Sequence, residues 1–396
     1  MKIGLIVPGG VDRSGRIFVI PVLLALIERL ARCHEVVVIS LDPNTEPSEY
    51  KLLGAKVMNL GLIRARTRVS WGAATLGKLM SALHAAGGGF DLLHAFWVFP
   101  QGTMAVAAGS LLRTPVVVSI GGGELVWLPA IRYGGMRTLR SRITMSATLR
   151  RASAVSAPSK FVMRSAMDIR PDIQWLPTGV DTTIFRGSIE RTPGTPAAPW
   201  RFVHVAGLNE VKNQETLLRA VRQVAGICPH IVLECIGVDA LNGRVQALAR
   251  DLGITDKVRF HGVLTVDQIV PFYRQAHLFV QSSLHESMGA AVLEASATGV
   301  PTVGTNVGIV AEMAPRAAVA VPLSDPSALA IGIVALLENS QRREAVALAA
   351  QNFARTYSAD WTAAQFDELY RRVAQERAVE HPHRRDREID NNLTMS

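Results

Sequence analysis

Short apolar segments that end in polar or glycine-rich residues recur along the chain, with apolar positions at helical spacing between them. The first segment is 2–7, and a loop with Gly9 and Gly10 connects it to apolar positions from Phe18 to Leu30. A second apolar segment, 34–40, follows. Strand, glycine loop, helix and strand form a βαβ unit, which predicts a parallel sheet.

This alternation continues to about residue 181 and restarts at residue 201. Further predicted strands lie at 91–97, 115–120, 154–159, 201–206, 231–237, 258–263, 276–281, 302–304 and 319–321. Residues 187–199 contain three prolines and two glycines without periodicity, which is typical of a linker. We therefore predict two Rossmann-like α/β domains with parallel sheets, 1–186 and 200–355. The charged, patternless residues 379–396 predict a disordered tail.

Length and composition favour a cytoplasmic protein. The 396 residues suffice for two domains, and 48% of them are hydrophobic. The longest clean apolar run, 17–27, is shorter than the ~18 to 20 residues of a membrane-spanning helix. The amino-terminal segment lacks the layout of a signal peptide. Cys33, Cys228 and Cys235 form no CxxC pair and have no histidine at ligand spacing, which argues against structural zinc.

The net charge of +9 is concentrated in the first half of the chain. Residues 1–186 hold 22 Lys and Arg against 11 Asp and Glu, a net +11, whereas residues 187–396 hold 20 against 22, a net −2. Two clusters dominate: Arg64, Arg66 and Arg68, and then Arg132, Arg137, Arg140, Arg142, Arg150 and Arg151. A one-sided basic surface favours phosphates of lipids or nucleic acids, but no nucleic-acid-binding motif accompanies it. A solvated helix face is the alternative.

The stretch from Ser283 to Pro301 has the strongest chemical pattern. A polar loop with Glu286 follows a predicted strand, and a helix of small residues then ends near Gly299. We predict Ser287 as the helix N-cap. The apolar surroundings of Glu294 predict burial, and a buried carboxylate needs donors such as the two hydroxyls of a ribose. Otherwise both glutamates are solvated surface acids.

A single lysine stands just before a predicted helix. A cation is disfavoured there by the helix dipole, so Lys212 and the helix N-terminus are expected to share an anion such as a diphosphate. The alternative is an exposed lysine without a ligand. No Asp-x-Asp occurs in the chain, so no metal clamp on a diphosphate is expected.

Polar and glycine-rich residues follow two predicted strands of the first half. His94 lies near the end of one, and Gly121 to Glu124 follow the next. Ligands of open parallel sheets bind at the carboxyl ends of the strands, so both are expected at one edge of a cleft.

Several of these segments resemble the retaining glycosyltransferases of family 4. Glu286 through Pro301 is similar to the family's Glu-x7-Glu element, and Gly207 through Lys212 to its Gly-Arg-Leu-x-x-x-Lys element. The resemblance covers residues 1 to about 375, with further matches at Gly9-Gly10, at 177–181 through Phe185, and at Gly262-Val263. One departure is clear, because Gly207 occupies the usual arginine position.

The resemblance implies the GT-B fold, in which two Rossmann-like parallel-sheet domains face a central cleft. Residues 1–186 would form the acceptor side and 200–355 the donor side, and a helix at 356–378 would return to the first domain. Glu286 and Lys212 would be catalytic. The implied donor-binding residues are Gly9, Gly10, Lys212, Gly262, Val263, Glu286, Ser287, Met288, Gly289 and Glu294. His94 and Glu124 would line the acceptor or sugar cleft.

The activity implied is transfer of a hexose from a nucleotide sugar to a hydroxyl acceptor with retained anomeric configuration. The acceptor expected is a polysaccharide or a lipid-linked glycan precursor. Neither a metal nor a cofactor is expected, and the nucleotide sugar is a substrate. The basic half predicts peripheral contact with the inner face of an anionic membrane and no nucleic-acid partner. Alternatives are an epimerase or a sucrose-type synthase on the same fold, and, given Gly207, an inactive nucleotide-sugar-binding protein.

Overall fold

Two α/β domains, each built on its own sheet, make up the computed structural model, which describes residues 1–190, 192, 194–195 and 197–380. The first domain contains β1 Lys2–Val7, α1 Pro21–Ala31, β2 Glu35–Ser40, β3 Ser48–Leu52, β4 Ala55–Asn59, α2 Arg68–Ala85, β5 Leu92–Phe96, α3 Thr103–Leu112, β6 Val116–Ser119, α4 Leu139–Arg151, β7 Ala154–Ala157, α5 Lys160–Ala166 and β8 Gln174–Trp175.

The remaining elements belong to the second domain and to the end of the chain. They are β9 Trp200–Val205, α6 Gln214–Ile227, β10 Ile231–Ile236, α7 Arg244–Asp251, β11 Val258–Phe260, α8 Val266–Gln275, β12 Leu278–Gln281, α9 Ala290–Ala297, β13 Thr302–Thr305, α10 Val310–Met313, β14 Val319–Val321, α11 Pro326–Glu338, α12 Ser340–Thr356 and α13 Ala359–Glu380. Two parallel-sheet domains confirm the predicted fold class.

The first sheet has the strand order β3-β4-β2-β1-β5-β6-β7-β8. All its pairings are parallel except that of β3 with β4, an antiparallel hairpin at the edge that the prediction of a parallel sheet missed. Two apolar clusters cover its faces: α2, α3 and α4 pack on one face, and α1 and α13 pack on the other. Both faces are therefore buried, which explains the continuous apolar strands of the sequence.

The second sheet is parallel throughout, in the order β11-β10-β9-β12-β13-β14. Helices α6, α7 and α11 contribute to the apolar cluster on one face, whereas α8, α9, α10 and α12 contribute to the other. In both domains the loops at the carboxyl ends of the strands are the ones that carry the candidate site.

The chain returns to the first domain after α12. At this crossing Ala359 N–H donates to the carbonyl of Val180 at 3.0 Å, and the hydroxyl of Thr362 donates to the carbonyl of Pro177 at 2.7 Å. Helix α13 then packs along α1. It spans 359–380 rather than the predicted 356–378, so residues 379 and 380 of the expected tail are helical. The other tail residues, 381–396, lie outside the described residues.

Helix α13 also determines the surroundings of His94. The ring nitrogens of His94 bond to the hydroxyls of Tyr370 at 2.5 Å and Ser119 at 2.7 Å. The side chain is fully buried, and this burial lowers the pKa of His94 to about 3. The imidazole is therefore neutral and has no free nitrogen. His94 does not line the cleft as predicted, because the returning helix covers it.

Two further sequence expectations differ from the structure. Helix α1 begins only at Pro21, and Phe18, predicted to belong to it, is 78% exposed with a positive φ of 52°. Residues 11–19 form instead a bridged loop in which Val11 pairs with Val19. Across the described residues, no helix combines the length and apolar character needed to traverse a bilayer.

Candidate functional site

An ion pair between two loops of the second domain forms the centre of the site. Lys212 Nζ lies 2.5 Å from Glu286 Oε1, and the hydroxyl of Ser283 donates to the same oxygen at 2.7 Å. The side chains of Lys212 and Glu286 are 23% and 12% exposed. Both catalytic candidates thus lie together, at the carboxyl ends of β9 and β12.

Backbone contacts hold these two loops against each other. Lys212 ends a short 3-10 turn whose cap is Asn209, because the Asn209 side chain accepts a hydrogen bond from the Lys212 N–H at 3.2 Å. The Lys212 carbonyl accepts from the hydroxyl of Ser282 at 2.8 Å, and the N–H of Leu284 donates to Val211 at 2.7 Å. The position of Lys212 is therefore determined by the loop that carries Glu286, and only Asn213 separates Lys212 from α6.

Three backbone N–H groups next to this ion pair are available to an anion. Within the described part of the chain, the N–H groups of Ser287, Met288 and Gly289 find no protein acceptor. Gly289 has a φ of +92° and is the residue at which α9 begins. The N-cap is thus Gly289 and not the predicted Ser287. Free N–H groups at a helix start favour a phosphate or carboxylate oxygen.

The first domain closes the site from the opposite side. The Ser287 hydroxyl donates to the Gly121 carbonyl at 2.6 Å, and the Ser159 hydroxyl donates to the Ser287 carbonyl at 2.5 Å. The backbone N–H of Lys160 donates to the Glu312 carboxylate. Ser287, predicted as a donor-binding residue, therefore joins the two domains through both its side chain and its carbonyl.

Glu124 shapes the glycine turn of the first domain. Its buried carboxylate accepts hydrogen bonds from the N–H groups of Val98 at 3.1 Å, Gly121 at 3.0 Å and Gly122. Burial raises the pKa of Glu124, and these backbone donors act in the opposite direction. The carboxylate predicted to line the cleft is thus engaged by the backbone, and its effect on the site is to fix the turn that touches Ser287.

Two aromatic residues near the ion pair were not predicted from the sequence. Tyr133 is packed against Gly123, and burial together with the charges of Glu286 and Glu124 raises the pKa of its hydroxyl, which therefore keeps its proton. The buried ring of His285 lies 6.2 Å from that of Tyr133 and 5.7 Å from that of Phe161. A tyrosine within a glycine-rich loop, directly before Gly134 and Gly135, was the sequence signal available for Tyr133.

Glu294 is buried inside α9, as its apolar surroundings predicted. Its side chain accepts a hydrogen bond from the Tyr273 hydroxyl at 2.7 Å. Burial raises the pKa of Glu294 to about 7, although the hydrogen bond from Tyr273 lowers it. The carboxylate therefore has capacity for further donors, because one hydroxyl satisfies only part of it.

The remaining predicted residues lie on loops at the carboxyl ends of strands. Gly262 follows β11 with a φ of +66°, its carbonyl accepts from Gly237 at 2.8 Å, and Val263 is 53% exposed. Gly9 and Gly10 follow β1 with φ values of +136° and +73°. Side chains at these two glycines would collide with Asp42 and Ile20. Gly9, Gly10 and Gly262 are thus glycines because of their backbone conformation, whatever ligand they meet.

The chemistry of the site is that of an anion cradle. Lys212 and three N–H groups supply positive charge and donors, and Glu286 and Glu294 supply acceptors for hydroxyl groups. Over the residues that the structure describes, no group of three or more His, Cys, Asp or Glu is placed to hold a metal ion. The donor set suits a molecule that combines phosphates with sugar hydroxyls.

Two family models together match most of the chain. The model described as glycosyl transferase 4-like domain matches residues 19–179, and the model described as glycosyl transferases group 1 matches residues 186–353. The first match falls within the β1 to β8 domain. The second contains Lys212, Glu286 and Glu294, so the residues of the anion cradle lie within it.

Individual proteins are similar to this chain in sequence or in structure. D-inositol 3-phosphate glycosyltransferase of Thermomonospora curvata is 28% identical over 327 residues, which cover 75% of each chain. The next two relatives of that name align over only 45% and 48% of their own length. Sucrose-phosphate synthase of Thermosynechococcus elongatus superposes with a TM-score of 0.77 at 19% identity, covering 94% of this chain and 99% of that one. Anabaena HepE in complex with UDP-glucose superposes with a TM-score of 0.71 at 17% identity, covering 93% of this chain and 99% of that one.

The pKa of Glu294 predicts a pH-dependent stability. The pKa of the Glu294 carboxyl is about 7 in the folded protein, whereas the ordinary pKa of a glutamate is 4.5. Wild type should therefore lose stability as the pH rises from about 4.5 through about 7, and Glu294→Gln should not show this loss. We expect the difference in unfolding free energy, variant minus wild type, to grow by on the order of 3 kcal/mol between about pH 5 and 8. Urea unfolding measures it, with exposed Glu338→Gln as the control. A pH-independent difference would contradict the assignment.

Proposed function

The chain is a family 4-like glycosyltransferase with the GT-B fold, and from this premise we propose that it transfers a hexose from a nucleotide sugar to a hydroxyl acceptor with retained configuration and without a metal ion or cofactor. The acceptor we propose is a polysaccharide or a lipid-linked glycan precursor. The enzyme would act in the cytoplasm, with its basic half toward an anionic membrane.

The observation that carries this proposal is the position of Lys212 beside Glu286 and the free N–H groups of Ser287, Met288 and Gly289. A nucleotide sugar presents two phosphates and a hexose, which need cationic donors and hydroxyl acceptors side by side. We propose that the phosphates bind Lys212 and the amides. The sugar hydroxyls would then bind Glu286, whose carboxylate the ion pair with Lys212 holds in position.

The proposed reaction uses this placement. The bond between the anomeric carbon and the phosphate oxygen breaks, and its electron pair remains on the phosphate. The acceptor oxygen bonds to the anomeric carbon from the same face and passes its proton to that leaving phosphate, so configuration is retained and no protein base is required. Lys212 and the amides would stabilise the charge that grows on the phosphate. Loss of one such donor typically lowers turnover by about 10²- to 10³-fold.

The other predicted residues have supporting roles in this proposal. Glu294 would accept hydrogen bonds from the ribose hydroxyls, since in the described part of the chain its carboxylate has one side-chain donor, the Tyr273 hydroxyl. Gly262 and Val263 would lie along the base, at the carboxyl end of β11. Gly9 and Gly10 would let the backbone of the first domain approach the donor closely. Tyr133, whose hydroxyl stays protonated, would donate to the sugar from the acceptor side.

Two alternatives arise from particular observations. Similarity in fold to sucrose-phosphate synthase leaves open a synthase that uses a sugar phosphate as acceptor. Gly207 in the usual arginine position leaves open a protein that binds the nucleotide sugar without turnover. Radiolabelled donor distinguishes these, because the synthase yields a small soluble product and the binding protein yields none.

The test begins with thermal stabilisation by a panel of nucleotide sugars, in which a ligand at a hundredfold over Kd adds ~2.7 kcal/mol. Transfer from the best donor is then measured to lipid-linked glycan, polysaccharide and D-inositol 3-phosphate, the last because a relative is named for it. We expect turnover to persist in excess EDTA, since the chain has no Asp-x-Asp. Loss of turnover that magnesium or manganese restores would overturn metal independence, and an inverted product would overturn retention.

The ribose contact predicts a binding defect in two variants. Glu294→Gln and Glu294→Ala should each weaken binding of the free nucleoside diphosphate about tenfold or more, because a hydrogen bond to a charged group is worth roughly 1.5 to 3 kcal/mol. Calorimetry at pH 8, where wild type is ionised, is the measurement. Equal affinity in wild type and both variants would contradict the ribose role of Glu294.

The missing arginine can be restored. A Cβ at Gly207 would meet no atom closer than 3.5 Å, and its φ lies outside the left-handed region, so the backbone there accommodates a residue other than glycine. Gly207→Arg should bind the nucleoside diphosphate about tenfold more tightly, through charge-assisted hydrogen bonds to phosphate. Gly207→Met, similar in length but uncharged, is the matched control. If Arg improves affinity no more than Met, the phosphates do not bind beside Gly207.

A further inference from the structure

One long part of the first domain is almost free of acidic residues. Residues 50–167 contain 15 Lys and Arg but only two acids, Asp91 and Glu124. Glu124 is buried and engaged by the backbone, and Asp91 accepts a hydrogen bond from the N–H of Lys2 at 2.7 Å. The surface that this segment forms therefore has very little negative charge to oppose its basic side chains.

The topology brings three helix starts of this segment to one edge. Helices α2, α3 and α4 connect consecutive parallel strands, pack side by side, and cover the same face of the sheet. Each such helix begins near the carboxyl edge of the sheet. Neighbouring helices lie about 8 to 10 Å apart, so the three starts span roughly 20 Å. This is the edge at which Gly121 contacts Ser287 of the second domain.

Arginines gather at two of these starts. Arg64, Arg66 and Arg68 precede or begin α2, and Arg137, Arg140 and Arg142 precede or begin α4; all six are exposed. No carboxylate of the described residues pairs with any of them. The contacts that they do make leave the charge in place: Arg137 stacks on the ring of Trp127, and Arg142 donates to the carbonyl of Met136.

Large apolar side chains are exposed among these arginines. Leu139 and Ile143, one turn apart on α4, are 74% and 60% exposed, and Val69 at the start of α2 is 69% exposed. Leu62 and Phe99 add further exposed apolar surface at the same edge. We call Leu62 to Val69, Phe99 and Arg137 to Ile143 together the basic rim. In contrast, Arg150 and Arg151 lie at the opposite end of α4, about 18 Å away.

We propose that the basic rim docks on an anionic lipid bilayer, with its arginines at the headgroups and Leu139, Ile143 and Val69 in the interface. Charge complementarity selects an anionic partner, because six unpaired arginines face outward from one edge. The interspersed apolar residues select lipid over a soluble polyanion, since only a bilayer offers hydrocarbon beside phosphate.

Docking through this rim would place the carboxyl edge of the first sheet, where α2 and α4 begin, against the membrane. That edge also carries the turn from Gly121 to Glu124, which contacts the candidate site. Resting on the proposed function, this orientation favours an acceptor that enters from the bilayer, which is a lipid-linked glycan. The docking itself needs neither donor nor acceptor, so it can be tested apart from the reaction.

The experiment is co-sedimentation of the full chain with phosphatidylglycerol or phosphatidylcholine vesicles at low and high salt. Arg137→Gln, Arg140→Gln and Arg142→Gln are combined in one variant. Arg222→Gln, Arg250→Gln and Arg316→Gln, exposed positions of the second domain, form the charge-matched control. A third variant combines Leu139→Ser with Ile143→Ser. Circular dichroism and nucleoside diphosphate binding by calorimetry establish that each variant is folded.

We expect wild type to bind the anionic vesicles and high salt to weaken this binding. Each arginine contributes ~1 kcal/mol, or about fivefold, so the vesicle partition coefficient of the rim arginine variant should fall about a hundredfold. The control should bind like wild type. The Ser variant should bind severalfold less at both salt concentrations. Wild type that does not sediment at low salt, or a control as weak as the rim variant, would overturn the proposal. The rim would instead be assigned to a soluble polyanion by two results together. The Ser variant would bind vesicles as well as wild type, and dextran sulfate would compete for the protein as effectively as the vesicles do.

Discussion

A buried arginine holds together the segments that link the two domains. Arg29 of α1 bonds to Asp181 at 3.0 Å and to Asp360 at 2.7 Å. Asp181 lies where the chain leaves the first domain, and Asp360 lies where it returns. Burial alone would lower the pKa of Arg29, but both aspartates offset it, and the pKa is raised. Removing one partner of a buried pair commonly costs about 3 to 5 kcal/mol, less here because Asp360 is largely exposed. The orientation of the sheets, and so of the site between them, depends on this crossing.

The site exists because two sheets present their carboxyl edges to each other. The second domain supplies Lys212, Glu286 and the free N–H groups, and the first domain supplies the glycine turn and Tyr133. Direct hydrogen bonds join the two sides at Ser287, which bonds with Gly121 and Ser159, and at Lys160, whose N–H donates to Glu312. Such localised hydrogen bonds at the edge of the cleft suit a site that must admit a substrate and release a product.

The two halves of the chain differ in net charge. The second half of the chain has a net charge of −2, and its positive charge at the site is local, from one lysine and three amides. The first half carries +11, gathered partly on a rim beside the same cleft. Glu294 illustrates the cost of such a site, because burial holds its pKa near 7 and, among the described residues, it accepts a hydrogen bond from one hydroxyl, that of Tyr273. Its ionised form is better satisfied by further donors than by the protein alone.

The alternation of apolar strands and helices was enough to predict two parallel-sheet domains, because it depends on local periodicity and short connections. The apolar residues around Glu294 likewise predicted its burial inside α9. Contacts between distant segments could not be predicted in this way. Only the tertiary structure covers His94 with Tyr370, 276 residues later, engages Glu124 with the backbone, and brings Tyr133 to Glu286. It also divides one run of arginines between opposite ends of α4. A sequence pattern records which side chains share a face of one element, whereas burial and charge pairing depend on the elements that pack against it.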